Sequence, residues 1–391
     1  MQATQIGRSL AVWSRSRLCC RVVCCVPRVE AVSALRAPHC RKRSSKAGLS
    51  PSVRGLSAVT ASASASAAEG GAAGGMAGSH ADLMKAFQAC VPALSGANYK
   101  GQHGKVGILG GCREYTGAPF FAAMSASRVG ADLMFVFCTE SASIVIKTFS
   151  PDLIVMPLLP ERPVFDDPPP EAEVSKMVDR SSALILPWMR KLSCLVVGPG
   201  MGDDPFVAAA SRLVIKECRR ANIPLVVDGS GINLIVAEPQ LVKGYTNCVV
   251  TPNIAELGRI AGAVGVSLKG SIGSSWQQHA QEIAAALGGP VLISKGPADI
   301  ITDGKAVLSC KVPATPKRCG GQGDVLAGII ATFVSWATRP GASRDLLVAS
   351  YAACALLRTS SHTAFGKADR AMIASDVIAE LQPTFLRVLS G

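Results

Sequence analysis

Short apolar runs alternate with longer stretches in which apolar residues recur every three or four positions. Lys105–Leu109, Met134–Cys138, Leu192–Val197, Pro224–Val227, Cys248–Val250 and Val291–Ser294 are nearly continuous in apolar residues. Such runs predict strands buried on both faces. Ile300–Thr302 and Val307–Cys310 flank Asp303-Gly304, a hairpin signal. Helical spacing covers Leu83–Val91, Phe120–Val129, Val207–Cys218, Val325–Trp336, Leu346–Arg358 and Ile373–Leu389. Pro119 suits the first turn of the second of these. Strands alternating with helices predict an α/β fold: one domain with a mostly parallel sheet covered on both faces. Ligands in such sheets sit outside the carboxyl ends of the strands. The Gly/Pro turns after Leu109, Val197, Val227, Val250 and Ser294 fall at those ends and should line one crevice. Arg162–Pro170, with its DPPP run, reads as a surface loop.

The charge is uneven, and this changes what it implies. The whole chain of 391 residues carries +13. Residues 1–75 hold nine Arg and two Lys against Glu30 and Glu69, a net of +9, which leaves +4 for the rest. That remainder has no Lys/Arg-rich run interleaved with aromatics, so no nucleic-acid partner is expected. The leader, rich in Arg, Ser and Ala and poor in acids, reads as a transit peptide for a mitochondrion or a plastid over residues 1–78, with the folded domain at 79–391. Its apolar pieces are too short for a membrane span, so no membrane partner is expected either. Met76 follows the low-complexity stretch and is a candidate internal start for a cytosolic form. Of the 14 Cys, five lie in the leader, and no CxxC pair occurs among the other nine. That argues against a zinc site and a disulfide framework.

The densest candidate chemistry is Ala314–Gly328, ATPKRCGGQGDVLAG. Gly320, Gly321 and Gly323 allow a sharp turn and close approach to a ligand just before an apolar helix. The unpaired N–H groups and the dipole at that helix start favour an anion. Asp324 would point a carboxylate at a docked phosphate, where it could take a proton from an attacking hydroxyl. The bland reading is a Gly-rich turn with Asp324 as a helix cap.

The words YKGQHGKVGILGG, YTGAPFFAA, VVGPGMG, TPNIAEL, ISKGPAD and RCGGQGDVLAG occur in that order from Tyr99 to Gly328. Together they resemble the ATP-dependent (S)-NAD(P)H-hydrate dehydratase family, a branch of the ribokinase-like fold, over roughly Leu83 to Leu389. The resemblance implies a three-layer ribokinase-like domain, with ATP and Mg²⁺ as cofactors and hydrated NADH and NADPH as substrates. It implies that Asp324 is the base toward the ring hydroxyl. It places the hydrated nucleotide against Ala118, Gly202 and the segment Asn253, Ile254, Ala255, Glu256, Leu257, Gly258 and Arg259. It places ATP against Lys295, Gly296, Pro297, Ala298 and Asp299, and against Ala314, Thr315, Pro316, Lys317, Arg318, Cys319, Gly320, Gly321, Gln322 and Gly323. Glu256 is a candidate for work near the Mg²⁺, although Asn253 and Glu256 alone would read as helix caps. Asp228 opens DGSG, where several relatives carry a second acid in place of Ser230, so no metal ligand set is assigned. Many bacterial relatives carry an epimerase domain on the same chain; none is expected here, so the epimerase would be a separate functional partner. An oligomer is compatible with the sequence. The alternative is a small-molecule kinase of the same fold acting on a vitamin precursor or a sugar hydroxyl, and the product separates the two. A non-catalytic nucleotide- or nucleic-acid-binding role has only the basic leader behind it.

Overall fold

The computed structural model describes residues 78–163, 170–268 and 275–389. The basic leader through residue 77, and residues 164–169 of the predicted surface loop, lie outside the described residues. The strands are β1 (Lys105–Leu109), β2 (Leu133–Cys138), β3 (Ile154–Pro157), β4 (Cys194–Val197), β5 (Leu225–Val227), β6 (Cys248–Val250), β7 (Val291–Ser294), β8 (Asp299–Thr302) and β9 (Val307–Cys310). They form one sheet in the order β3-β2-β1-β4-β5-β6-β7-β8-β9. Every pairing from β3 through β7 is parallel. β8 and β9 close that side of the sheet antiparallel, as the Asp303-Gly304 turn requires. Asp303 accepts from the N–H groups of Lys305 and Ala306 at 2.9 and 2.8 Å, and Gly304 sits at φ 90°, so this short sequence fixes the turn.

The helices are α1 (His80–Gln88), α2 (Gly117–Arg128), α3 (Glu140–Phe149), α4 (Glu171–Met189), α5 (Pro205–Ala221), α6 (Gly231–Ala237), α7 (Ile254–Val264), α8 (Trp276–Leu287), α9 (Gln322–Ala337), α10 (Leu346–Ala368) and α11 (Ala374–Leu389). The continuous apolar strands explain the two helical layers. Val106, Ile108, Val196, Val226, Val249 and Ile293 enter a core shared with α1, α2, α9, α10 and α11. Their neighbours Leu109, Leu195, Val197, Val227, Val250 and Leu292 enter a second core shared with α4 to α8. Side chains alternate along a strand, so a run with no polar member needs a cover on each face.

α9 is the central helix of the first core, and every residue from Val325 to Ala337 is buried. Gly328 lets it lie against α2, because a Cβ there would collide with the Ala122 carbonyl and the Ser125 hydroxyl. A helix apolar on all sides is held by its surroundings rather than by one stripe. Its first turn, with Asp324, is therefore carried on a rigid support.

Several elements are absent from the sequence reading. α3, β3 and α4 fill the stretch between β2 and β4, α6 follows β5, and α8 lies between α7 and β7. β3 is a four-residue edge strand ending in Pro157, a composition that suits an edge and hides it from pattern reading. α10 runs ten residues past the predicted Arg358, through a polar stretch. There Thr359 and Thr363 donate to the carbonyls of Ala355 and Thr359 at 2.9 and 3.0 Å, which satisfies hydroxyls inside the helix.

Candidate active site

The turns after β1, β4, β5, β6 and β7 lie side by side because their strands are adjacent and parallel. Each first turn residue continues the ladder of its neighbour. Gly198 N–H donates to Leu109 at 3.0 Å, Asp228 N–H to Val197 at 3.1 Å, and Thr251 N–H to Val227 at 3.1 Å. Lys295 N–H reaches Pro252 O at 3.0 Å. Gly198 is required, since its φ is 123° and a Cβ would run into the Asp228 carbonyl. The predicted crevice is therefore present as a row of backbone turns.

At its β6–β7 end the row opens into a cleft of about 1060 Å³. One wall is the start of α7, with Asn253, Ile254, Ala255 and Gly258. Facing it are the β7–β8 loop, the stretch Ala314–Cys319, Gln322, Gly323 and Leu326 at the start of α9, and Leu357, Arg358 and Ser361 of α10, while Asp324 lies behind this lining. The Ser361 hydroxyl is buried and has no hydrogen-bond partner in the protein.

Beneath the first turn of α9 lies a charged group assembled from distant parts of the chain. Asp228, at the end of β5, is buried. One of its oxygens accepts from Lys295 Nζ at 2.8 Å and from Thr251 Oγ1 at 2.6 Å. Burial alone would raise its pKa; Lys295 first, then Thr251 and the Gly229 N–H, outweigh this and hold it below the usual carboxylate range. Burial likewise opposes the charge on Lys295, and Asp228 outweighs it, with Glu256 and Asp324 adding, so its pKa is raised. Both partners are charged. A Cβ on Gly323 would stand 3.5 Å from Lys295 Nζ and 3.6 Å from the other Asp228 oxygen. The ion pair thus lies directly against the glycine turn that opens α9, with only Gly323 between.

Asp324 is the third residue of α9, and the N-cap is Gly321, at φ 92°. The capping reading of Asp324 is therefore corrected. Gly321 is packed so closely on Phe121 and Ala374 that a Cβ would come within 2.9 Å of both. Burial, then the charge of Asp228, push the Asp324 pKa up to about 7, against the pull of Lys295. A carboxyl with that value at neutral pH is matched to taking up a proton.

Other candidates have definite places. Asn253 is the N-cap of α7, and with Glu256 it forms a capping box, 3.0 Å one way and 2.8 Å the other. Glu256 is thus engaged at the helix end, as the residue pattern alone suggests. Leu257 is fully buried in the second core, away from the cleft. Arg259 donates to Asn233 Oδ1 at 2.6 Å and does not line the cleft. Asp299 lines the cleft and accepts from Gly296 N–H at 3.1 Å and from Arg358 at 3.0 Å, so its carboxylate also closes the loop. Lys317 Nζ donates to Arg370 O at 2.9 Å, and Cys319 N–H to Gln322 Oε1 at 3.4 Å. Ala118 packs beside Gly200, and Gly202, at φ 72°, beside Cys112, which joins the turns after β1 and β4 further along the row. Ala298, Gly320 and Gly321 do not line the cleft. Arg358 is the residue that pattern reading missed: it sits in a helical run with no Gly/Pro turn or motif word to mark it.

The sheet order and the two helical layers define the class, a ribokinase-like α/β protein. The fold matches that of a ribokinase-like superfamily protein from Enterococcus faecalis, with TM-score 0.61 at 19% identity over 78% of this chain and 94% of that one. It also matches an ADP/ATP-dependent NAD(P)H-hydrate dehydratase from Bacillus subtilis co-crystallised with ATP/Mg²⁺, with TM-score 0.57 at 17% identity over 78% and 97%. Residues 106–383 match the family described as NAD(P)H-hydrate dehydratase. The chain is 41% identical over 317 residues to the ATP-dependent (S)-NAD(P)H-hydrate dehydratase of Bos taurus, covering 79% of this chain and 90% of that protein. The chain belongs to the NAD(P)H-hydrate dehydratase family.

Proposed function

We propose that this chain uses ATP to dehydrate the S epimer of hydrated NADH and NADPH, releasing NADH or NADPH, ADP and phosphate. Family membership supports the substrate and the cosubstrate. The observation that carries the chemistry is Asp324, raised to about 7 on the first turn of a buried helix and beside the Asp228–Lys295 pair. The hydrated ring bears a hydroxyl next to the ring nitrogen, and hydroxide is a poor leaving group. Asp324 takes the hydroxyl proton as the oxygen bonds to the γ-phosphorus and the bond to ADP breaks. The nitrogen lone pair then expels phosphate, and loss of a neighbouring proton restores the dihydronicotinamide. The free N–H groups at the start of α9 favour the transferring phosphoryl group, since phosphoryl transfer depends mainly on positioning and charge.

Mg²⁺ fits as an ion carried in on the nucleotide. Among the described residues no three His, Cys, Asp or Glu side chains are grouped so as to hold a metal. Mg²⁺ binds through phosphates, water and one or two carboxylates, for which Asp228, whose second oxygen would stand 3.6 Å from a Cβ on Gly323, is the candidate. When bound it neutralises charge on the phosphate oxygens.

The test is incubation of the purified chain with hydrated NADH and ATP. We expect dihydronicotinamide absorbance to recover in step with free phosphate. A stable phosphoester in place of free phosphate would overturn the reading in favour of a kinase.

The basic leader supports delivery to a mitochondrion or a plastid, and a separate epimerase would supply the S epimer. A chain starting at Met76 keeps every described residue. It is expected to match the full chain in melting temperature and turnover; a large loss of thermal stability would move the domain boundary upstream.

A further inference from the structure

One guanidinium spans two walls of the cleft. Arg358, on α10, is buried at 8% exposure. Its Nη1 donates to Asp299 at 3.0 Å and to Gly296 O at 3.3 Å, and its Nη2 donates to Pro297 O. Its Nε donates to Val312 O at 2.6 Å. The first three contacts hold the β7–β8 loop, and the fourth holds the connection that leads from β9 into Ala314–Cys319. Asp299, taken up also by Gly296 N–H, completes the clamp from inside the loop. Burial raises the pKa of Asp299, and Arg358 opposes that rise.

We infer that Arg358 is a positioning residue for ATP, setting the gap between the Lys295–Asp299 loop and the Ala314–Cys319 segment. The inference rests on the ATP-dependent reading above. Apart from Asp299, the first residue of β8, neither segment is regular structure: each is a short connection. The planar five-donor fork of Arg can serve three carbonyls and a carboxylate at once, whereas a Lys ammonium has three donors and no fork. Arg358 also lines the cleft, so the clamp lies directly behind the surface the nucleotide meets. The α7 wall and the turns after β1 and β4 receive none of its bonds. Its loss therefore acts on one substrate and not on the other.

Arg358→Lys keeps the charge and loses the fork. For folded protein, the KM for ATP is expected to rise about ten- to a hundredfold, the range found when groups that orient metal ligands are removed. The KM for hydrated NADH and the kcat at saturating ATP should stay within about threefold. Asp299→Asn, which spares the three carbonyl contacts, should give a smaller rise of the same kind. A purely structural Arg358 would lower the melting temperature and leave both KM values of the folded fraction unchanged. That outcome, or an equal rise in both KM values, overturns the inference. If Arg358→Lys does not fold, Asp299→Asn carries the same expectation. Calorimetric titration of ATP into the native chain and the variants separates the two readings. Native binding without dehydration defeats the proposed reaction alone, while equal affinity of native and variant protein defeats the clamp alone.

Discussion

Replacing Asp324 by Asn is expected to leave a folded, ATP-binding protein whose conversion of hydrated NADH is at least about a hundredfold slower. The substitution keeps size and polarity and removes only the capacity to take a proton. General-base assistance contributes about 10²–10⁴-fold in such reactions. A cap role would predict near-normal rate, since Asn caps about as well as Asp, and Gly321 already holds the cap position. Single-turnover conversion and thermal melting on the same preparation check this. A stable, fully active Asp324→Asn protein would remove Asp324 from the reaction.

The same substitution has a pH signature. With its pKa raised from 3.8 to about 7, Asp324 in the native chain holds a proton that the unfolded chain releases near pH 4. Native stability therefore falls as pH rises between those values, and the full cost is present above about pH 7. Asp324→Asn has no such cost, so its melting temperature should gain on the native chain between pH 5 and pH 8. In the native chain kcat/KM should rise with pH through an apparent pKa of about 7, as the base ionises. The residual activity of the variant should lack that limb. A native profile flat from pH 5 to 8 would mean that Asp324 does not titrate there.

Much of this site is visible in the sequence, because turns at strand ends depend on local residue types. Gly198 and Gly321 stand where a Cβ would strike backbone or a ring, so the chain must spell glycine there. The Asp303-Gly304 hairpin is legible for the same reason. What is not legible depends on partners far along the chain. Lys295 reads as a strand-end cation free for a phosphate, yet it is bonded to Asp228, 67 residues away. Arg358 reads as part of a helix, and its partners lie 46 to 62 residues earlier. Neither pairing leaves a spacing to find. The missed α10 extension has a different cause, since Ser360 and Ser361 are polar residues buried in this part of the helix, and this defeats the apolar period.

Lys295→Met is expected to cost both stability and ATP affinity, for separable reasons. Asp228 is almost fully buried, with its side chain 4% exposed, while that of Lys295 is 24% exposed. Removing the ammonium leaves a buried carboxylate with only Thr251 and the Gly229 N–H to stabilise it. Breaking a buried pair from one side costs about 3–5 kcal/mol, and the partial exposure of Lys295 places this case near the low end. Lys295 also lowers the Asp324 pKa, whereas Asp228 raises it. Without Lys295 the two carboxylates face each other unrelieved, so the acid limb of the rate profile should move to higher pH. Adding Asp228→Asn removes the orphaned charge, and such double neutralisation of a buried pair is often nearly neutral for folding. The double variant should therefore regain most of the melting temperature. It should not regain ATP affinity, because the positive charge against Gly323 is still missing. Thermal melts and ATP titrations of the native chain, both single variants and the double variant give the coupling in each property. If the double variant recovers ATP binding along with stability, Lys295 serves only to neutralise Asp228, and the phosphate is held by the α9 backbone alone.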